Sequence, residues 1–300
     1  MRIAITGSNG FIGRSLANYL AETEHHLYCL SRQRRELGRA RSIPITFPSS
    51  QTEDVIREIQ PDVLIHAAGC SSVPGSVSDP AADFAAGPPV VFQLLNACRL
   101  HSPKTKFIFL SSAAVYGNPT HLPINENHPI EPISPYGFHK YQSELIVQEF
   151  ARLYGLSSAS ARIFSAYGAG LRRQLLWDVC QKACNHAEIP LLGSGTEARD
   201  FIHVKDICRA LEYLWNEDDL LGQPINVCSG SMTPIAALAS LIASKFDHQP
   251  SIIFTGNALP GAPRAWQGDN EWLFNRGFQC SVSLDSGVDE YVRWYLTERA

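Results

Sequence analysis

Gly7, Gly10 and Gly13 follow directly on an apolar run, Arg2-Ile3-Ala4-Ile5-Thr6, and open an amphipathic stretch that begins at Phe11. A strand that breaks into a bare glycine turn and then a helix brings its backbone close to whatever lies above the strand end, with the helix N-terminus aimed at the same place. A pyrophosphate fits there, because it needs main-chain N–H groups and the positive end of the helix dipole. The spacing therefore predicts an α/β protein, a doubly wound parallel sheet, with a dinucleotide at its first crossover.

The next stretches keep to that plan. Short apolar runs at Arg2–Thr6, Leu27–Leu30, Ile43–Phe47, Val63–Ala67, Phe107–Ser111 and Ser158–Ile163 alternate with helical patterns at Phe11–Ala21, Thr52–Ile59, Val90–Leu100 and Tyr136–Tyr154, as expected of parallel strands joined by crossover helices. Ser134 as N-cap and Pro135 at the first helical position place Tyr136 in the opening turn of the last helix. Beyond residue 165 the regularity weakens, with helical pieces near Leu175–Ala187, Lys205–Trp215, Pro234–Phe246 and Ser286–Tyr295 among short strands. We expect a dinucleotide domain over 1–165 and a smaller α/β substrate lobe over 166–300, with the chain free to cross between them more than once.

At 300 residues and 45% hydrophobic content the chain can bury a large core, and a formal net charge of −4 gives no global signal for nucleic acid or an anionic membrane. The N-terminus enters a strand without an apolar leader and no run approaches 18 apolar residues, so a soluble, cytoplasmic protein is expected. Eight cysteines lie scattered without a C-x-x-C pair. Cys180 and Cys184 share a helix face but lack a second ligand pair, which favours reduced packing cysteines over a metal site, and no metal is expected.

After the second strand, where an acidic residue would take the ribose hydroxyls of NAD, the chain reads Ser31-Arg32-Gln33-Arg34-Arg35. Guanidinium matches phosphate through forked, charge-assisted hydrogen bonds, so Arg32, with Arg35, favours NADP(H) over NAD(H), unless the segment is simply a solvated basic loop. Further on, Tyr136 and Lys140 stand four apart on one helix face, downstream of Ser112. An ammonium beside a phenol favours its ionised form and lets tyrosine exchange protons near neutral pH, as reversible hydride chemistry at a nicotinamide requires.

Beyond the glycine turn, the segments DVLIHAAG (62–69), LSSAAVYG (110–117), SPYGFHK (134–140), RIFSAYG (162–168) and GSGTEARDFIHVKDI (193–207) occur in an order and spacing that spans essentially the whole chain. In this the sequence resembles the extended short-chain dehydrogenase/reductases of the Rossmann type, in particular their nucleotide-sugar epimerase, dehydratase and reductase group, with UDP-glucose 4-epimerase-like members. The resemblance implies a catalytic set of Ser112, Tyr136 and Lys140. It implies cofactor contacts from Gly7, Asn9, Gly10, Phe11, Ile12, Gly13, Ser31, Arg32, Arg35, Ala67, Ala68, Gly69, Tyr136 and Lys140. Substrate contacts are implied at Ser72, Ser112, Ser165 and Arg199, the last as a diphosphate clamp, and a homodimer is implied through the tyrosine helix and the helix before it.

Departures from the group's pattern narrow the chemistry. Ala113 and Ala114 replace the Asp-Glu pair of the dehydratases, and alanine can neither protonate nor deprotonate a sugar. Gly87 and Ser165 stand where asparagines are usual. Asp200 is expected to orient Arg199 or cap backbone, and His203 to pack in the core. Arg264 is a second phosphate candidate in GAPRAWQGDNEWLFNRGF (261–278), and Arg172 and Arg173 either face a diphosphate or lie in solvent. Three functions follow: an NAD(P)-dependent 4-epimerase of a nucleoside-diphosphate sugar, an NADPH-dependent reductase of a 4-keto sugar nucleotide, and a non-catalytic nucleotide sensor on the same fold.

Overall fold

Val63, Leu64, Ile65 and His66 are all buried, as a strand covered on both faces of a parallel sheet must be. The computed structural model describes residues 1–256 and 264–299. Its strands are β1 (Arg2–Thr6), β2 (His26–Ser31), β3 (Arg41–Pro44), β4 (Val63–His66), β5 (Lys106–Ser112), β6 (Ser158–Ile163), β7 (Ser165–Tyr167), β8 (Glu188–Leu191), β9 (Ala198–His203), β10 (Leu221–Val227), β11 (Met232–Pro234) and β12 (Ser251–Phe254). Its helices are α1 (Phe11–Ala21), α2 (Thr52–Ile59), α3 (Val73–Ser78), α4 (Pro80–Ala85), α5 (Pro88–His101), α6 (Pro135–Tyr154), α7 (Gln174–Ala183), α8 (Val204–Asn216), α9 (Ile235–Ala243), α10 (Glu271–Phe274) and α11 (Leu284–Arg299).

The chain divides into two compact units, one formed by Met1–Gly117, Pro129–Ile163 and Cys208–Asn226, the other by Asn118–His128, Phe164–Ile207 and the chain from Val227 onward. In the first, a seven-stranded sheet runs β10-β6-β5-β4-β1-β2-β3. The ladders β1–β2, β1–β4, β2–β3, β4–β5 and β5–β6 are parallel. Strand order reverses between β1 and β4, and ligands of doubly wound sheets bind outside the carboxyl ends at such a switch point. Beneath it, Ile56, Ile59, Leu94, Leu95, Phe107, Phe109, Val147 and Phe150 form one apolar cluster from α2, α5, α6 and β5.

The Glu144–Arg162 ion pair is buried beside that core. Arg162 donates from Nη2 to Glu144 Oε2 at 2.7 Å and from Nη1 to the Tyr116 hydroxyl at 2.9 Å. Ser111 donates to Glu144 at 2.5 Å and Tyr116 to Asn226 at 2.7 Å. Burial disfavours the Arg162 cation, but the bond to Glu144 and its charge outweigh that and raise the pKa.

The second unit holds a three-stranded sheet, β11-β9-β7, and a two-stranded one, β12-β8. Asp200, fully buried on β9, accepts from the backbone N–H groups of Ser229, Gly230 and Gly268 and from the Ser229 hydroxyl. Of the two roles expected for it, the structure assigns backbone capping. Bounds of α1 and α2 agree with the sequence reading, whereas β3 covers Arg41–Pro44 rather than Ile43–Phe47, and α3 and α4 fall in a Pro/Ser/Gly-containing stretch without apolar periodicity. All eight cysteines are free thiols. No described helix is long and apolar enough to cross a membrane, and no group of three metal-ligating residues occurs among the described residues.

Candidate functional site

Gly7 has a left-handed backbone, φ +67°, and a Cβ on it would lie 2.6 Å from the Ala68 nitrogen. Only glycine lets β1 turn while passing so close to the segment Ala67-Ala68-Gly69 beyond β4. Gly13 is equally confined, since its Cβ would meet the Gly7 carbonyl oxygen at 2.3 Å. Gly10 N-caps α1 without a side-chain bond, so the first-turn amides of Phe11, Ile12 and Gly13 have no partner within the helix.

The segment after β2 is tied to this turn. The Asn9 amide and the Ser31 hydroxyl both donate to the Gln33 carbonyl at 2.8 Å. Arg35 donates to Asn18 Oδ1 at 2.6 Å through Nη2, while its Nη1 and Asn9 Oδ1 are buried without a hydrogen bond. Arg32 is exposed. A bare glycine cradle, an open helix N-terminus and buried polar atoms without partners fit a dinucleotide.

On the carboxyl side of β5, Ser112 caps the short 3-10 turn Ala113–Tyr116, its hydroxyl oxygen accepting from Ala114 N at 3.2 Å. That turn packs on the start of α6, where Gly137 is required because a Cβ would sit 2.6 Å from the Ala114 carbonyl oxygen. Ser134 caps α6 by accepting from Gly137 N, and the Tyr136 N–H donates to Ser76 Oγ at 3.1 Å. One turn on, Lys140 donates from Nζ to the Leu110 carbonyl at 2.7 Å, and Nζ lies 4.8 Å from the Phe109 ring centroid and 5.7 Å from that of Tyr136. Burial pushes its pKa down to about 8 against the charges of Asp83, Glu144 and Cys70. Ser112, Tyr136 and Lys140 thus sit on adjoining elements of one unit.

Three residues beside the lysine were not foreseen from the sequence. His66 shares a 2.7 Å hydrogen bond with Thr6 Oγ1 through Nδ1, and burial, with a smaller effect of Lys140, pushes its pKa down to about 3. His139 donates from Nδ1 to Asp83 Oδ2 at 2.6 Å. Asp83 and His139 lie 56 positions apart, so periodicity could not pair them; the only signal was the histidine preceding Lys140. Ser72 is exposed, and its hydroxyl oxygen caps α3 by accepting from Gly75 N.

In the second unit, Arg199 is half-buried, donates to the Ala198 carbonyl at 2.8 Å and lies 5.5 Å from the Trp266 ring centroid. Burial pushes its pKa down to about 10, with Glu197 opposing, so it stays cationic at neutral pH. Ser165 opens β7 opposite Phe201. His203 is 2% exposed, in the core as expected, and burial lowers its pKa. Arg172 is paired with Glu298, and Arg173 is exposed at the N-cap of α7. The Arg264 carbonyl accepts from Ala198 N at 3.0 Å. Gly261, Ala262 and Pro263 of the same stretch lie outside the described residues.

Known proteins share both sequence and fold with this chain. A putative UDP-glucose 4-epimerase of Methanocaldococcus jannaschii is 27% identical over 310 residues, covering 97% of each chain. A Thermotoga maritima UDP-glucose 4-epimerase solved with UDP-glucose superposes with a TM-score of 0.92 at 24% identity, covering 100% of both chains. A Bacillus cereus UDP-glucuronic acid 4-epimerase solved with UDP-glucuronic acid and NAD gives 0.89 at 22% identity, covering 99% of this chain and 100% of the other. The family model described as NAD dependent epimerase/dehydratase matches residues 3–228, three-quarters of the sequence and all the elements that carry the glycine turn, Ser112, Tyr136 and Lys140. The chain belongs to the NAD-dependent epimerase/dehydratase family.

Proposed function

We propose that the protein is a 4-epimerase of a UDP-sugar, acting in the cytoplasm in carbohydrate biosynthesis. The observation that carries this reading is the lysine fixed to the Leu110 carbonyl within reach of the Tyr136 ring, on the unit that holds the glycine cradle. When bound, a nicotinamide dinucleotide supplies hydride acceptance and return. Tyr136 takes the proton of the C4 hydroxyl as that carbon is oxidised and gives it back when the 4-keto sugar is reduced on its other face. Lys140 keeps the phenol ready to ionise. Ser112, whose oxygen already accepts from Ala114 N, keeps its hydroxyl proton for the sugar oxygen.

The decisive experiment is incubation of purified protein with UDP-glucose, UDP-glucuronic acid or UDP-N-acetylglucosamine and no added cofactor. Interconversion with the matching C4 epimer is expected. Inertness toward all three, joined to NADPH consumption only with a 4-keto-6-deoxy sugar nucleotide, would establish the reductase instead. That second reading is favoured by one observation, the buried Arg35 Nη1 without a partner beside the glycine turn.

The same atom, with Arg32, supports a preference for NADP(H) over NAD(H). Arg32→Ala is expected to remove most of that preference, about 1.5–3 kcal/mol for one charge-assisted hydrogen bond, and Arg35→Ala to remove a comparable share. Titration of both reduced cofactors by nicotinamide fluorescence reads it, and a clear NADH preference in the unmodified protein sinks it.

Arg199 is proposed to bind the substrate diphosphate. Arg199→Ala is expected to weaken UDP binding in calorimetry by about 1.5–3 kcal/mol while leaving cofactor affinity unchanged. An equal loss for both ligands would place the defect in folding rather than in recognition. We also infer a homodimer through α5 and α6, where Phe92, Leu100, Leu145, Leu153 and Tyr154 are exposed; a monomeric mass in light scattering would overturn it.

A further inference from the structure

Beside Lys140 lies a cavity of about 20 Å³ lined by His66, Asp83, Gly87, Phe109, His139 and Lys140 among others. It is large enough for one water, and its lining is polar enough to hold one. Two hydrogen-bonding atoms of residues that line it have no partner: Asp83 Oδ1 and His66 Nε2. Both side chains are more than nine-tenths buried, His66 at 1% exposed and the Asp83 side chain at 4%. A buried, unpaired carboxylate oxygen costs several kcal/mol unless something satisfies it. The other Asp83 oxygen is already engaged by His139.

The lysine poses the complementary problem. Burial disfavours its charged form, and the nearby groups that act on that charge are Asp83 from α4, His66 from β4, Cys70 from the loop after β4, and Glu144 with Tyr136 and His139 from α6 itself. Glu144 is spent on Arg162 and Ser111. Cys70 has a pKa raised by burial and by Asp83, and so is a neutral thiol at pH 7. His66 is neutral. This leaves Asp83, bonded by His139 through Oδ2 and in contact with the Cys70 thiol, as the carboxylate with an oxygen, Oδ1, still open toward the lysine. Gly87 contributes only backbone to the same wall.

We propose that Asp83, oriented by His139, is the counter-charge of Lys140, joined to it by a single water that bonds Asp83 Oδ1, His66 Nε2 and Lys140 Nζ. Asp83 is thus a positioning residue, acting on Tyr136 through the charge of the lysine. This rests on Lys140 serving Tyr136, as the proposed function requires.

The test needs no turnover. Competitive acetylation of the folded, full-length protein across a pH series, read by mass spectrometry on the peptide that carries Lys140, follows the neutral amine of that residue alone. Asp83→Asn removes the negative charge and keeps the shape. The lysine then gives up its proton at lower pH, so the midpoint of labelling falls by about one pH unit and Lys140 labels roughly fivefold faster near pH 7. Asp83→Glu keeps the charge and holds the midpoint at the wild-type value. Should the asparagine variant not fold, Asp83→Ser serves as a second neutral replacement. An unchanged midpoint in a folded neutral variant overturns the proposal, as does a high-resolution crystal structure of the wild type without a water in reach of Asp83 Oδ1 and Lys140 Nζ. Failure to epimerise any UDP-sugar would count against the proposed function and leave these two measurements standing.

Discussion

Replacing Tyr136 by phenylalanine is expected to lower turnover by about 10²–10⁴-fold while leaving cofactor affinity nearly unchanged, since one proton carrier is lost and the ring is kept. The substitution keeps the ring and the backbone contacts of residue 136. The backbone N–H of residue 136 still donates to Ser76, Ser134 still caps the helix, and a phenyl ring still faces the Lys140 ammonium. A fall in turnover therefore reports on proton transfer rather than on packing. Wild-type turnover in a properly folded Tyr136→Phe protein would remove the tyrosine from the mechanism, and with it the reading of the whole site.

The second large effect is on stability. Glu144→Gln leaves the Arg162 guanidinium buried without its carboxylate and is expected to cost about 3–5 kcal/mol in denaturant unfolding. Replacing both partners by apolar residues, as in Glu144→Leu with Arg162→Met, is expected to restore most of that loss, because no unpaired charge then remains. The double variant isolates the charge from the packing, and a single variant as stable as wild type would show that water reaches Arg162. The pair also matters to the site, since Ser111 donates to Glu144 and immediately precedes Ser112. A loosened pair should therefore be felt at the serine before it is felt elsewhere on the sheet.

Local chemistry made much of this legible. The Ser134-Pro135 start of α6 rests on the cap and fixed proline torsion of adjacent residues, and the structure has both. Gly7 and Gly13 were legible for the same reason: the turn that needs them is made within a few residues of them. What the sequence left open depends on distant partners. Asp200 had two expected roles, and the choice between them is made by amides at 229, 230 and 268. The Asp83–His139 bond joins a short helix without periodicity to a position on α6, and nothing in either segment announces the other. β3 was displaced because the apolar residues at 43–47 marked the strand, whereas the ladder pairs Arg41–Pro44 with Tyr28–Ser31.

The strand order carries a consequence for how the protein must be made. β6 ends at Ile163, yet its outer neighbour β10 does not begin until Leu221, and the chain between them belongs mostly to the other unit. Until that neighbour has been synthesised, β6 presents a row of unpaired backbone groups on a strand buried along its whole length in the finished protein, the kind of edge that invites pairing with another chain. A fragment ended near residue 165 would keep the glycine turn, Ser112, Tyr136 and Lys140, and would still be expected to aggregate. Neither unit is one continuous segment of the chain, so no single truncation cuts either of them out whole.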